Sequence, residues 1–181
     1  FSDVVGFTSI SERLSPQDLA AFINDYLTSM SEVIRDQGGT LDKYIGDAIM
    51  AFWGAPVPDA NHATRGVLAA LRMQRRLDTL REEFDRRGWP SISIGIGLSS
   101  GEMTVGDMGS KVRKAYTVMG DAVNLGSRLE GITRQYGVGI LVSAETVQMS
   151  SGVVYREIDS VRVKGKDIPI RIYQPLALAT E

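Results

Sequence analysis

Two aspartates, Asp3 and Asp47, stand where short apolar runs break. Phe1-Ser2-Asp3-Val4-Val5 reads as the end of a strand, and Asp47 follows Gly46 between the runs 40–45 and 48–53. A Gly-Asp pair between alternating apolar runs signals a tight hairpin. In a βαβ-type core the first and second strands are expected side by side, so both carboxylates would project from one edge of the sheet. Two convergent carboxylates suit hard divalent cations such as Mg²⁺ or Mn²⁺, which keep waters and take further oxygens from phosphates. Taken singly, either acid is as well read as a helix cap or a turn residue. Further along, Asn124 and Arg128 are four residues apart on a predicted helix and share one face. On their own they read as a solvated polar face. Lys43, four residues before Asp47, and Lys164, in Val163-Lys164-Gly165-Lys166, are ordinary surface or loop-tip lysines unless something recruits them. The single histidine, His62, opens a predicted helix and reads as structural or exposed.

The bulk properties narrow the chemistry. At 181 residues, 43 % hydrophobic and 23 % charged, the chain reads as one globular domain long enough to bury a core. A formal net charge of -2 gives no general surface for nucleic acid or anionic membrane. A polyanionic substrate must therefore be held by a few local cations and a metal. The absence of cysteine excludes disulfides, thiolate metal sites and cysteine nucleophiles, and fits a cytoplasmic location. No apolar run approaches membrane-spanning length. The start at Phe1, without methionine, is expected for a domain cut from a longer protein carrying upstream sensor or regulatory domains.

Several elements must position these residues. Gly6-Phe7-Thr8 is expected to turn the chain into a helix over about 16–36, whose apolar positions Leu19, Phe22, Ile23, Tyr26, Leu27, Met30, Val33 and Ile34 recur at helical spacing. Gly38-Gly39 ends it through a left-handed cap. A second long helix is predicted over 62–87. Runs 92–99 and 102–108 read as a hairpin turning at Ser100-Gly101, followed by a helix over 121–136. A strand over 140–143, a short helix over 144–149 and a closing hairpin over 153–173, turning at Lys164-Gly165-Lys166, complete the order. That order predicts an α+β class: a ferredoxin-like, mainly antiparallel sheet with helices packed on one face of it and additions at the C-terminal end.

Three ordered blocks carry a family resemblance. Phe1-Ser2-Asp3-Val4-Val5-Gly6-Phe7-Thr8, Lys43-Tyr44-Ile45-Gly46-Asp47-Ala48 and Gly120-Asp121-Ala122-Val123-Asn124-Leu125-Gly126-Ser127-Arg128-Leu129 resemble the signature blocks of class III adenylyl and guanylyl cyclases. The resemblance spans nearly the whole chain. It implies two divalent metal ions, Mg²⁺ or Mn²⁺, at Asp3, Val4 and Asp47, and a triphosphate cradled by the backbone from Val4 to Thr8, including Phe7. Free amides at a helix start attract anions, so that role is physically sound. It further implies that Asn124 orients the ribose, that Arg128 stabilises charge at the α-phosphate, and that Lys164 contacts the terminal phosphates. Arg113, in the basic stretch Lys111-Val112-Arg113-Lys114, is a weaker phosphate contact.

The same resemblance gives Lys43 and Thr117 the purine edge. A lysine donates to adenine N1 and a threonine hydroxyl accepts from the 6-amino group, whereas guanine presents the reverse pattern. The implied activity is that of an adenylate cyclase, converting ATP to cyclic AMP and pyrophosphate. The implied assembly is a head-to-tail homodimer with metals from one subunit and the Asn–Arg helix from the other. A guanylate cyclase and a non-catalytic regulatory module are the rivals.

Overall fold

The structure, a computed structural model, describes residues 1–164 and 167–181. Fifteen residues in, Ser15 accepts a hydrogen bond from the Asp18 amide and Pro16 follows at the first helical position, which starts the first long amphipathic helix cleanly. Helix α2 (Pro16–Asp36) buries Phe22, Tyr26, Met30, Val33 and Ile34, and α3 (His62–Arg86) buries Val67, Met73, Leu77, Leu80 and Phe84. The two helices are joined through Phe22, Phe84 and Trp89, whose ring centroids lie 4.7 to 6.0 Å apart. They cover one face of a seven-stranded sheet.

The strands are β1 (Ser2–Val4), β2 (Thr40–Ile45), β3 (Ala48–Phe52), β4 (Ile94–Leu98), β7 (Ile140–Ser143), β8 (Val153–Val161) and β9 (Ile170–Leu178), in the spatial order β2-β3-β1-β4-β7-β9-β8. Among the described residues only the β4–β7 pair is parallel. The first four strands have the split order of a ferredoxin-like core, and the last three extend it beyond β4, as expected. Alternation sorts their side chains: Val4, Ile49, Ile94, Ile96, Ile140 and Val142 enter the core under α2 and α3. On the opposite face Leu141 and Ile172 pack with Leu129 of α4 (Asp121–Ile132), so the helices cover both faces and not one as expected, because β7 and β9 are apolar on both sides. Asp3, alternating with the buried Ser2 and Val4, emerges on this α4 side.

Four further expectations are corrected. The first and second strands are not neighbours: β3 inserts between them and pairs antiparallel with β1. Gly6-Phe7-Thr8 is not merely a turn, because α1 (Phe7–Arg13) begins there, with Gly6 at φ 64. The runs 92–99 and 102–108 do not form a hairpin. Instead, β4 is enclosed by β1 and β7, and β5 (Thr104–Gly109) pairs with β6 (Lys114–Met119) in a separate two-stranded ribbon. The helix predicted over 121–136 ends at Ile132 and resumes as a 3-10 turn over Arg134–Tyr136. The closing hairpin does form, running to Leu178; Gly165 and Lys166 of its expected turn lie outside the described residues. Among the described residues no helix is long and apolar enough to cross a membrane.

Candidate active site

Because β3 runs antiparallel beside β1, the turn that opens β3 lies at the end of β1. Gly46, at φ 63, makes that turn tight and delivers Asp47 next to Val4. The Val4 amide then donates to both acids, at 3.0 Å to Asp3 Oδ1 and 2.9 Å to Asp47 Oδ2. One N–H thus clasps two carboxylates. Burial, then the facing Asp47 carboxylate and the nearby Glu130, pushes the Asp3 carboxyl up to about 7. Asp3, Asp47 and Val4 are therefore brought together. Among the described residues there is no cluster of three or more histidine, cysteine, aspartate or glutamate side chains that could hold a metal. Two carboxylates and backbone oxygens nevertheless fit a hard cation that completes its shell with water and phosphate.

Helix α1 starts immediately beyond Val4. Gly6 caps it without a side-chain hydrogen bond, and no acid occupies its first turn. The first-turn amides, including those of Phe7 and Thr8, therefore lie beside the carboxylate pair with no side chain capping them. Phe7 leans on the core, while Thr8 is exposed and its carbonyl accepts from Ser11 at 2.7 Å.

Asn124 and Arg128 lie elsewhere. In α4 the buried residues are Gly126 and Leu129, whereas Asn124 and Arg128 are exposed on the opposite side of the helix. The inner side is pressed onto β4 at two glycines. A Cβ at Gly97 would meet Glu130 N at 2.3 Å and Gly126 O at 2.4 Å, and one at Gly95 would meet Thr133 Oγ1 at 2.3 Å. The acid that reaches the carboxylate pair is Glu130, from this inner side, and burial raises it above the ordinary carboxylate range. The Asn–Arg face of a chain is thus turned away from that chain's own Asp3 and Asp47.

Lys43 and Thr117 both approach one buried acid. Lys43 is exposed on β2, and Thr117 is buried on β6, which brings the ribbon back toward the sheet. Between them lies Asp42, which the sequence reading passed over. The Thr117 hydroxyl donates to Asp42 Oδ2, and Lys43 Nζ is 3.7 Å from Asp42 Oδ1. An acid adjacent to a singled-out lysine was the available signal, but strict alternation would send the two to opposite faces. Lys164 is an exposed turn residue after β8, and Arg113 sits at the exposed ribbon tip, where its amide donates to Ser110 Oγ at 3.1 Å. His62 directs Nδ1 to the Asp59 carbonyl, 3.0 Å away, at the edge of a cavity of about 650 Å³. That cavity is walled by Met50, Phe52, Val118, Val123 and Gly126, and neither Asp3 nor Asp47 lines it.

The split antiparallel sheet that sets paired carboxylates against a helix start is the nucleotide cyclase fold, shared with the solved cyclase structures it matches. The chain belongs to the adenylate and guanylate cyclase catalytic domain family, whose model matches residues 1–174. An adenylate cyclase of Anabaena cylindrica is 43 % identical over 182 residues, covering 96 % of this chain. The chain spans only 35 % of that relative's length. The crystal structure of the adenylyl cyclase CyaB from P. aeruginosa matches with a TM-score of 0.90 at 35 % identity, over 97 % of this chain and 90 % of that one. The guanylyl cyclase Cya2 matches with a TM-score of 0.87 at 34 % identity, over 98 % and 89 %.

Proposed function

We propose that this chain is the catalytic domain of an adenylate cyclase, converting ATP to 3′,5′-cyclic AMP and pyrophosphate in composite sites between two copies. The observation that carries the reading is the meeting of Asp3 and Asp47 on the Val4 amide beside the start of α1. Asp3, Asp47 and the Val4 backbone would hold two divalent ions, Mg²⁺ or Mn²⁺. When bound, such ions lower the pKa of the ribose 3′-hydroxyl and neutralise charge on the leaving pyrophosphate. The chain itself supplies the rest. The amides of Phe7 and Thr8 receive phosphate oxygens, as helix starts do. Asn124 of the second copy orients the ribose. Arg128 of that copy, always protonated and with donors in a fixed plane, meets charge developing at the α-phosphate. Lys164 grips the terminal phosphates. Lys43 donates to adenine N1 and Thr117 accepts from the 6-amino group. No histidine or cysteine base is required.

The test is cyclic AMP production from ATP by the purified protein with Mg²⁺ and with Mn²⁺, beside an Asp47→Ala control. Turnover that falls at least about a hundredfold in the control is expected, because the remaining carboxylate cannot anchor both charges. GTP is run in parallel, since a guanylyl cyclase is among the similar structures. Cyclic GMP as the main product would replace the adenylate reading. No turnover of either nucleotide would leave a non-catalytic module.

A further inference from the structure

We propose that Asp42 sets the base selectivity of this site by pinning the Thr117 hydroxyl as a hydrogen-bond acceptor toward the purine. The proposal rests on the reading of Lys43 and Thr117 given above and adds a residue that acts through them.

A threonine hydroxyl on its own is a poor discriminator. It carries one proton and two lone pairs and can rotate, so it can accept from a 6-amino group or donate to a 6-oxo group. Asp42 removes that freedom. Its side chain is fully buried, and its Oδ2 accepts a hydrogen bond from the Thr117 hydroxyl. With Asp42 as the acceptor of that bond, the single proton of the hydroxyl is committed to it. What Thr117 has left to offer is a lone pair. The adenine 6-amino group meets it with a proton, and guanine O6 meets it with another lone pair. Lys43 repeats the same preference by donating to a ring nitrogen that is bare in adenine and protonated in guanine.

The backbone shows how Asp42 reaches both partners. Leu41 pairs with Ala51 and Lys43 with Met50, so Asp42 is the extra residue of a β-bulge. Bulges re-aim side chains beside functional sites. Here the bulge lets two consecutive side chains approach one another, with Asp42 Oδ1 at 3.7 Å from Lys43 Nζ. That Oδ1 is buried and has no hydrogen-bond partner. A carboxylate buried with an unsatisfied oxygen costs stability, so bracing β2 against β6 would be better served by a neutral pair. The same carboxylate thus faces the Lys43 ammonium with one oxygen and holds the Thr117 hydroxyl with the other.

The experiment measures kcat/KM for ATP and for GTP with the whole chain and with Asp42→Asn, Thr117→Val and the double variant. The side-chain amide that Asp42→Asn introduces can donate to the Thr117 oxygen, freeing the hydroxyl to donate to O6. The ATP:GTP preference should therefore fall about tenfold in Asp42→Asn, with GTP turnover rising in absolute terms. In the Thr117→Val background, Asp42→Asn should leave the ratio where Thr117→Val put it. Equal losses for the two nucleotides would reduce Asp42 to a brace and overturn the proposal. A shift that persists without the hydroxyl would overturn it too. If Thr117→Val itself leaves the ratio unchanged, the purine role of Thr117 fails, which is a separate result. Should Asp42→Asn not fold, the unsubstituted protein still decides. N6-methyl-ATP and the triphosphate of 6-methoxypurine riboside have nearly the same size but present a donor and an acceptor. A pinned hydroxyl makes the first at least about tenfold the better inhibitor, whereas equal inhibition would overturn the proposal.

Discussion

A carboxylate facing a second carboxylate is at odds with its own ionisation, and Asp3 shows the conflict. Burial, Asp47 and Glu130 together raise it from 3.8 to about 7. An acid whose folded pKa exceeds its unfolded one binds its proton more tightly in the native state. Stability of the metal-free protein therefore falls as pH rises from about 4 to about 7, and the full penalty is present above that window. Asp3→Asn removes the conflict and a proposed ligand together. In chelator at pH 8 the variant should melt above the parent, and at pH 4 the difference should vanish. Mn²⁺ should raise the parent's melting temperature at pH 8 and leave the variant's nearly unchanged, because a ligand stabilises only the state that binds it. Thermal melts at both pH values, with and without Mn²⁺, read all three. A variant that melts below the parent in chelator at pH 8 would mean the pair is held by contacts stronger than its repulsion.

Helix α4 rests on β4 through glycines on both sides, and the two sides answer oppositely to an added methyl group. At Gly97 a Cβ would meet backbone at 2.3 and 2.4 Å, so Gly97→Ala must push the helix away or fail to pack. The expected loss is about 1–3 kcal/mol, the usual cost of overpacking. At Gly126 a Cβ would make ordinary contacts with Phe1 and Ser99 at 3.5 Å, and the residue lies inside the helix. Gly126→Ala should therefore gain about 1 kcal/mol of helix propensity, raising the melting temperature by roughly 2–4 °C. Denaturant titration of the two variants checks the opposite signs. The period of 3.6 made α2, α3 and most of α4 legible, since each buries one continuous stripe. The β2–β3 hairpin was equally legible, through Gly46-Asp47. The pairing of β4 was not. Ser100-Gly101 between two short runs imitates a hairpin turn, but β4 instead satisfies both edges with β1 and β7. The glycine-rich Thr104–Gly109 has too little apolar alternation to announce its partner Lys114–Met119. Asp42 was hidden for a related reason. Nothing in Leu41-Asp42-Lys43 marks the bulge that turns neighbouring side chains toward each other.

Two features of the surface bear on assembly. The ribbon and the β2 edge leave Tyr44, Ile45, Val105, Tyr116 and Met119 exposed, on the same two elements that carry Lys43 and Thr117. Under the proposed composite site, these exposed apolar side chains are what a partner copy would cover. The outward face of α4 gives the stronger reason, because Asn124 and Arg128 are exposed on the side of the helix opposite its buried Gly126 and Leu129. Two copies related by a two-fold axis would each lend the other an Asn–Arg pair, giving two equivalent sites. Asp47→Ala and Asn124→Ala chains are each expected to be nearly inactive alone. Mixed in equal amounts with free exchange, half of the dimers would carry one variant of each kind. Each mixed dimer holds one intact site of two, so the mixture should recover about a quarter of parental activity per chain. Differently tagged chains that co-purify would show that exchange has occurred. Activity that stays at the level of the separate variants after such exchange would place the whole site within one chain, against the orientation of α4. Recovery that disappears on dilution would instead measure how weakly the two copies hold together.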